Sequence, residues 1–372
     1  MPKEIHIAIA SGGTGGHLYP TIAVADEIKR LEPSAKILFI GTADRIESRE
    51  VPRAGYPFEA IKIAAPKKNI RSLFSFPIRF LGAVMHSRKL LKAFAPSSVL
   101  CGGAYLSVPV GVAARMLGIP VVLLEINSVA GKANKLLSRW AKKIYLAYPE
   151  SASQFVGVDV SGIATSGTPV RTGFGSHHVD QRAARLAYGF DPDRKTILIF
   201  GGSLGARAIN RAVASNAAAL LEQGYSILWQ IGKGNDAKKF QEDFANERNI
   251  RVEEYIYEME QAYAAADLVV CRAGASSLAE LAALGKPAIL VPFPDAAENH
   301  QEANARAFEA VGAALVLRDS ELSERIAETI TSLSESALEA MSIAMKHREN
   351  KEAAKIVAQW LIASDNERAL KH

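Results

Sequence analysis

The chain has 372 residues, of which 49% are hydrophobic and 22% charged. That length suits two or three domains, and that composition excludes a disordered chain. The net charge of +5 is split unevenly: Met1–Thr165 carries 21 basic and 11 acidic residues, net +10, and the remainder carries 23 and 28, net −5.

The first residues carry charge and then run into glycines, without the apolar stretch of a signal peptide. A strand is predicted over Ile5–Ala10, followed by a glycine-rich turn from Ser11 to His17. A helical pattern then runs from Tyr19 to Leu31, with Ile22, Ala25 and Ile28 on one side. Lys36–Ile40 reads as a second strand. No acid occurs between Glu59 and Glu125, a window with nine basic residues: Lys62, Lys67, Lys68, Arg71, Arg79, Arg88, Lys89, Lys92 and Arg115. A field of one sign attracts an anionic partner or surface. Val99–Cys101 and Val121–Leu124 are the short apolar runs of buried parallel strands. The longest apolar region, Val108–Ile126, is broken by Pro109, Arg115, Gly118 and Pro120. No segment supplies the ~20 clean apolar residues of a membrane span. Two cysteines, Cys101 and Cys271, are too few for a disulfide framework or a cysteine-rich zinc site. The expectation is a soluble, intracellular chain whose membrane contact is peripheral.

The second half repeats the plan. Thr196–Phe200 is a strand, Gly201–Gly205 a glycine turn and Ala206–Gln223 a helix, with further strands over Ser226–Ile231, Leu268–Cys271 and Ala288–Val291. Two doubly wound α/β domains in tandem are expected, joined near Ser166-Gly167-Thr168-Pro169. The tail from Ser336 to His372 reads as helical and polar.

Several segments carry chemistry. The first glycine loop is either a plain strand-to-helix turn or an anion site, because glycines let backbone N–H groups approach oxygen atoms at a helix N-terminus. Its spacing, Gly13-x-Gly15-x-x-Leu18, lacks the third glycine, and the second strand ends Phe39-Ile40-Gly41-Thr42 without an acid for a ribose. Both features argue against NAD. The absence of Gly-x4-Gly-Lys-Ser/Thr excludes a P-loop. His17 lies in the first helical turn, where the helix dipole favours a neutral imidazole able to act as general base; alternatively it fills the turn. In Val270–Glu280 a strand ends, a turn of small residues follows and a helix starts, a fit for a diphosphate. Ser277-x-x-Glu280 also fits a capping box; otherwise Glu280 can accept both hydroxyls of a ribose. Pro292–Asp295, Glu298–Gln301 and Asn304 suit sugar hydroxyls or form a polar loop. Glu125–Ser128 follows a strand end. Arg171, at the joint, is a salt-bridge residue or a phosphate fork.

Taken together, Gly12-Gly13-Thr14-Gly15-Gly16-His17 with Pro20, Gly201-Gly202-Ser203-x-Gly205-Ala206-Arg207 and Val270-Cys271-Arg272-x-Gly274-Ala275 resemble the MurG family. These are the N-acetylglucosaminyltransferases that convert lipid I to lipid II in peptidoglycan synthesis. The resemblance runs from Ile5 to about Leu317. It implies an α/β GT-B fold: two Rossmann-like doubly wound parallel-sheet domains facing a cleft. Residues 1–165 would form the domain for the lipid acceptor, with a helix over 347–372 packing back on it, and 166–346 the domain for UDP-GlcNAc. It further implies an inverting transfer to the C4 hydroxyl of MurNAc, with no cofactor and no protein-bound metal. The implied partners are UDP-GlcNAc, undecaprenyl-linked lipid I and an anionic membrane surface, not nucleic acid. The implied location is the cytoplasmic face of the bacterial cell membrane.

Carried over by position, His17 is the base for the acceptor hydroxyl. Thr14, Gly15 and Gly16 lie near the donor's sugar and diphosphate, with Asn127 on the same side. Arg171 and Ser203 meet the diphosphate, and Ile256 contacts uracil through its backbone. Ala275, Ser276, Ser277, Leu278, Ala279 and Glu280 hold phosphates and ribose, with Glu280 on the ribose. Gln301 binds the GlcNAc hydroxyls, and Tyr105 belongs to the acceptor loop. Lys67, Lys68, Arg71, Phe74 and Arg79 are the expected membrane contacts. The chain departs from the family twice: Leu124 stands where many relatives have His in His-Glu-Gln-Asn, and Ala104 where Gly is usual. Competing expectations are a GT-B enzyme acting on diacylglycerol, a Rossmann NAD-dependent dehydrogenase and a non-catalytic sugar-nucleotide binder.

Overall fold

The computed structural model describes residues 4–63, 70–171, 174 and 179–369, without the side chains of 70–75, 297 and 365–369. The chain divides into two compact units: Met1–Thr172 with Asn350–His372, and Gly173–Glu349.

The first unit is built from β1 (His6–Ala10), α1 (Gly15–Leu31), β2 (Lys36–Gly41), α2 (Glu47–Arg53), β3 (Phe58–Ala60), α3 (Ile70–Phe94), β4 (Ser98–Cys101), α4 (Ser107–Met116), β5 (Val121–Glu125), α5 (Lys132–Leu137), β6 (Ala141–Leu146) and β7 (Ile163–Thr165). Its seven described strands lie in the order β3-β2-β1-β4-β5-β6-β7, all parallel. Ile7, Ala8, Ile9 and Ala10 are fully buried, as a central strand covered by helices on both faces requires.

The second unit contains α6 (Gln181–Ala187), β8 (Lys195–Phe200), α7 (Arg207–Glu222), β9 (Tyr225–Gln230), α8 (Ala237–Asp243), β10 (Ile250–Glu253), α9 (Met259–Ala265), β11 (Leu268–Cys271), α10 (Ala275–Leu284), β12 (Ala288–Leu290), α11 (His300–Glu309), β13 (Ala314–Val316), α12 (Leu322–Thr331) and α13 (Glu335–Lys346). Its sheet runs β10-β9-β8-β11-β12-β13, again parallel. Each order reverses beside the first strand of its unit. Open α/β sheets bind ligands outside the carboxyl ends of the strands at such a reversal.

The last helix, α14 (Ala353–Ala369), packs on α1 and β4 of the first unit. It is less polar than its sequence suggests: Ala353, Ala354, Val357, Ala358 and Leu361 are all buried. The returning chain passes close beside Gly167, where a Cβ would sit 2.7 Å from that of Asn350, and Gly167 also has φ +80°. Leu361→Ala deletes a fully buried side chain. It should destabilise the first unit by about 2–5 kcal/mol, measured by urea denaturation of the whole chain; an unchanged midpoint would mean that α14 is not part of this core.

Candidate functional site

In the first unit, three segments converge at the carboxyl ends of β1, β4 and β5. The turn after β1 hands over to α1 with Thr14 as N-cap, so Gly15, Gly16 and His17 are its first three residues. The predicted helix began four residues later because this turn has no apolar period. His17 Nδ1 lies 2.8 Å from the Gly102 carbonyl oxygen. A carbonyl only accepts, so Nδ1 carries the proton, and the basic lone pair of the neutral ring belongs to Nε2. Gly103 (φ +91°) closes the gap beneath: a Cβ there would sit 2.9 Å from Asn134 Nδ2 and 3.4 Å from His17 Nδ1. The family departure at Ala104 is accommodated without backbone strain. Among described non-glycine residues positive φ occurs at Ala95, Glu298 and Asn299 only.

Two buried carboxylates shape this site, and neither role was visible in a motif. Glu47, the first residue of α2, accepts from the Gly13 N–H (2.9 Å), the Thr42 N–H (3.0 Å) and the Thr42 hydroxyl (2.7 Å). A Cβ at Gly12 would overlap its carboxylate, and one at Gly41 would lie 2.6 Å from its Cγ. The glycines therefore admit an acid beneath the loop. Glu125 accepts from the Asn127 N–H (3.1 Å), the Gly131 N–H (2.9 Å) and Asn134 Nδ2 (2.9 Å), which folds the segment after β5 against its own strand. Asn127 is buried with it, and Leu124 is buried in β5. Tyr105 donates its hydroxyl to the Ile63 carbonyl at 2.6 Å and packs against the core. The Arg171 guanidinium lies 5.4 Å from the Tyr19 ring on α1. Burial raises the nearby Asp26 carboxyl, opposed by the Tyr56 hydroxyl that bonds it and by the Arg171 charge.

In the second unit, the loop Gly201–Gly205 is pressed backbone to backbone against the turn after β9. A Cβ at Gly205 would overlap the Ile231 carbonyl, and one at Gly232 would overlap Gly205 itself. Ser203 sits on this loop, its carbonyl accepting from the Lys233 N–H at 3.0 Å. Gln230 bridges the two walls: Nε2 donates to the Gly202 carbonyl (3.1 Å) and Oε1 accepts from the Ile256 N–H (2.9 Å). Ile256 is buried and its N–H is engaged by Gln230.

On the strand next to β8 in the sheet order, β11 gives way to α10 with Gly274 as N-cap. Ala275, Ser276, Ser277, Leu278, Ala279 and Glu280 form its first six residues. Ser277 is thus inside the helix, and no Ser277–Glu280 capping box forms. Glu280 instead accepts from the Tyr263 hydroxyl at 3.0 Å. The buried Arg272 donates to the Val291 carbonyl (3.1 Å), the Pro292 carbonyl (3.1 Å) and both oxygens of Asp319. It thereby fixes the loop in which Gln301 Oε1 accepts from the Phe293 N–H at 3.0 Å. Glu298 and Asn299 adopt left-handed φ of 55° and 54° there, a conformation costly for Glu.

Of the expected membrane contacts, Lys67 and Lys68 lie outside the described residues. Arg71 and Phe74 fall on α3 with their side chains outside the description, and Arg79 is exposed on the same helix.

Two doubly wound parallel units with glycine loops at both switch points have the GT-B fold, and the family matches make the chain a glycosyltransferase of that fold. Residues 7–146 match the glycosyltransferase family 28 N-terminal domain and 196–359 the glycosyltransferase family 28 C-terminal domain. The chain is 39% identical over 329 residues to a UDP-N-acetylglucosamine–N-acetylmuramyl-(pentapeptide) pyrophosphoryl-undecaprenol N-acetylglucosamine transferase from Phocaeicola vulgatus, covering 88% of this chain and 87% of that one. It is 37% identical over 362 residues to the transferase of that name from Salinibacter ruber, covering 96% of each. The crystal structure of Acinetobacter baumannii MurG superposes with a TM-score of 0.73 at 28% identity, covering 96% of this chain and 99% of that one. The chain belongs to this MurG transferase family.

Glu47→Ala leaves three donors without their acceptor, each worth about 1–3 kcal/mol when buried and unsatisfied. The variant should lose about 3 kcal/mol or more in chemical denaturation and show reduced transferase activity. A stability equal to that of the parent would remove Glu47 as the pin of the first glycine loop.

Proposed function

We propose that this chain moves N-acetylglucosamine from UDP-GlcNAc to the C4 hydroxyl of the muramoyl sugar of undecaprenyl-linked lipid I, with inversion, to give lipid II. The observation that carries this reading is identity of 37–39% over nearly the whole length of transferases named for that activity. The missing ribose acid after β2 and the missing dinucleotide spacing leave nothing in favour of an NAD enzyme.

In the proposed reaction His17 Nε2 takes the proton of the C4 hydroxyl as that oxygen bonds to the anomeric carbon. The bond from that carbon to the β-phosphate oxygen breaks, and UDP leaves. The Nδ1 bond to Gly102 supports the reading by fixing the tautomer that can accept a proton. Developing charge on the diphosphate is met by the N-terminal N–H groups of α10, the loop around Ser203 and Arg171. Glu280 takes the ribose hydroxyls, the Ile256 backbone the uracil, and Gln301 the GlcNAc hydroxyls. Thr14, Gly15, Gly16 and Asn127 border the transferred sugar, and Tyr105 holds the acceptor loop in place. No described helix is long and apolar enough to cross a membrane. Docking at the cytoplasmic face by the basic first unit is supported by α3, where Ile78, Leu81 and Met85 are exposed at i, i+3 and i+7 beside the exposed Arg79, Lys89 and Lys92. Met116, at the end of the adjoining α4, is exposed as well. An apolar stripe flanked by bases suits an anionic lipid surface.

Incubation with UDP-GlcNAc and either a lipid I analogue or diacylglycerol, with mass detection, should give product from the former alone; product only from diacylglycerol overturns the acceptor assignment. His17→Ala should lower kcat about 10²–10⁴-fold while UDP-GlcNAc affinity is retained, and near-parental kcat would remove His17 from the chemistry.

Changing Ile78, Leu81 and Met85 to Ser should weaken sedimentation with phosphatidylglycerol vesicles at both low and high salt. Changing Lys67, Lys68, Arg71 and Arg79 to Gln should weaken it mainly at low salt, by roughly 1 kcal/mol per residue at most. Binding equal to that of the parent in both variants places docking elsewhere.

A further inference from the structure

We propose that Tyr263 is a positioning residue for the donor: its hydroxyl holds the Glu280 carboxylate in the orientation that accepts a ribose diol. The inference rests on the reading of Glu280 as the ribose contact and adds to it the group that sets its geometry.

Tyr263 is fully buried on α9, and its hydroxyl donates to Glu280 Oε2 at 3.0 Å. Its ring is fixed by two edge-on aromatic contacts. Phe200 lies 6.1 Å away at 80°, and Phe174 lies 6.1 Å away at 84°. Phe200 is the last residue of β8, the strand that opens into the second glycine loop. The phenol is therefore anchored to the frame of the phosphate-side loop. Its hydroxyl carries that position to a carboxylate on a different helix.

Glu280 is the sixth residue of α10, past the N-terminal turn. A Glu side chain has three rotatable bonds, each with several wells or a broad one. A vicinal diol presents two hydroxyls in fixed geometry, and an acceptor displaced by about 1 Å serves only one of them. A carboxylate has about four lone-pair sites, so one bond from a phenol and two from a diol lie within its capacity. A charge-assisted hydrogen bond from a locked phenol selects one orientation before the nucleotide arrives.

Tyr263→Phe removes the hydroxyl and keeps the ring between Phe200 and Phe174. The test is titration calorimetry of UDP and of 2′-deoxy-UDP into the parent protein, Tyr263→Phe and Glu280→Gln, with melting curves for each. The parent should prefer UDP over 2′-deoxy-UDP. Tyr263→Phe should bind UDP about tenfold more weakly, the loss of one hydrogen bond to a charged group. It should bind 2′-deoxy-UDP nearly as well as the parent does, so the preference shrinks. Its kcat at saturating UDP-GlcNAc should be unchanged while KM rises. A parent that binds both nucleotides equally overturns the ribose reading of Glu280 and this inference with it. A parent preference that is lost in Glu280→Gln but kept in full by Tyr263→Phe overturns the inference and leaves the ribose reading standing. If Tyr263→Phe melts out before titration, Glu280→Asp draws the carboxylate back from the hydroxyl. It should show the same shrunken preference; an undiminished preference there overturns the proposal.

Discussion

Both units depend on backbone coming closer to its surroundings than a side chain allows, at the carboxyl end of the first strand in each sheet. In the second unit the constraint is backbone on backbone: Gly205 and Gly232 leave no room for a Cβ. In the first unit it is backbone on carboxylate: Gly12 and Gly41 make room for Glu47. The residues proposed to face a ligand are placed by these contacts. His17 meets Gly102 because the loop below it is pinned, and α10 starts where β11 hands over beside the second loop.

The two loops look alike in sequence and differ in electrostatics. Glu47 takes the Gly13 N–H and sets a hydrogen-bond acceptor beneath the first loop. The turn of the second loop is instead stapled by Asn235, whose amide donates to the Leu204, Ile231 and Gly232 carbonyls. Anion binding by backbone N–H groups therefore suits the second unit better, in keeping with the diphosphate assigned to it. The first loop suits hydroxyl groups and a proton-accepting histidine.

Much of the fold was legible because central parallel strands are continuous apolar runs. Leu268–Cys271 is found at its predicted bounds, and the other predicted strands differ at their ends by a residue. Edge strands such as Ile163–Thr165 and Ala314–Val316 are short and only half covered, so they leave no comparable run. The tail reads as polar because α14 buries alanines, which pack closely on α1 yet add little to an apolar pattern. In the site, glycine loops and helix starts could be read locally. Glu47, Gln230, Tyr263 and Asp319 could not, since each acts on a partner brought to it by the fold from a different element. Of the two readings of the Ser277–Glu280 spacing, the capping box falls away because Gly274, not Ser277, occupies the N-cap.

The proposed transfer turns on one chemical event, a direct displacement at the anomeric carbon by an acceptor hydroxyl whose proton His17 would take. The most direct measurement is NMR of the glycosidic linkage formed from α-linked UDP-GlcNAc and a lipid I analogue, with released UDP quantified in the same tube. A β-linked product, formed mole for mole with UDP, is the predicted result. An α-linked product, or UDP released without sugar transfer, would contradict it.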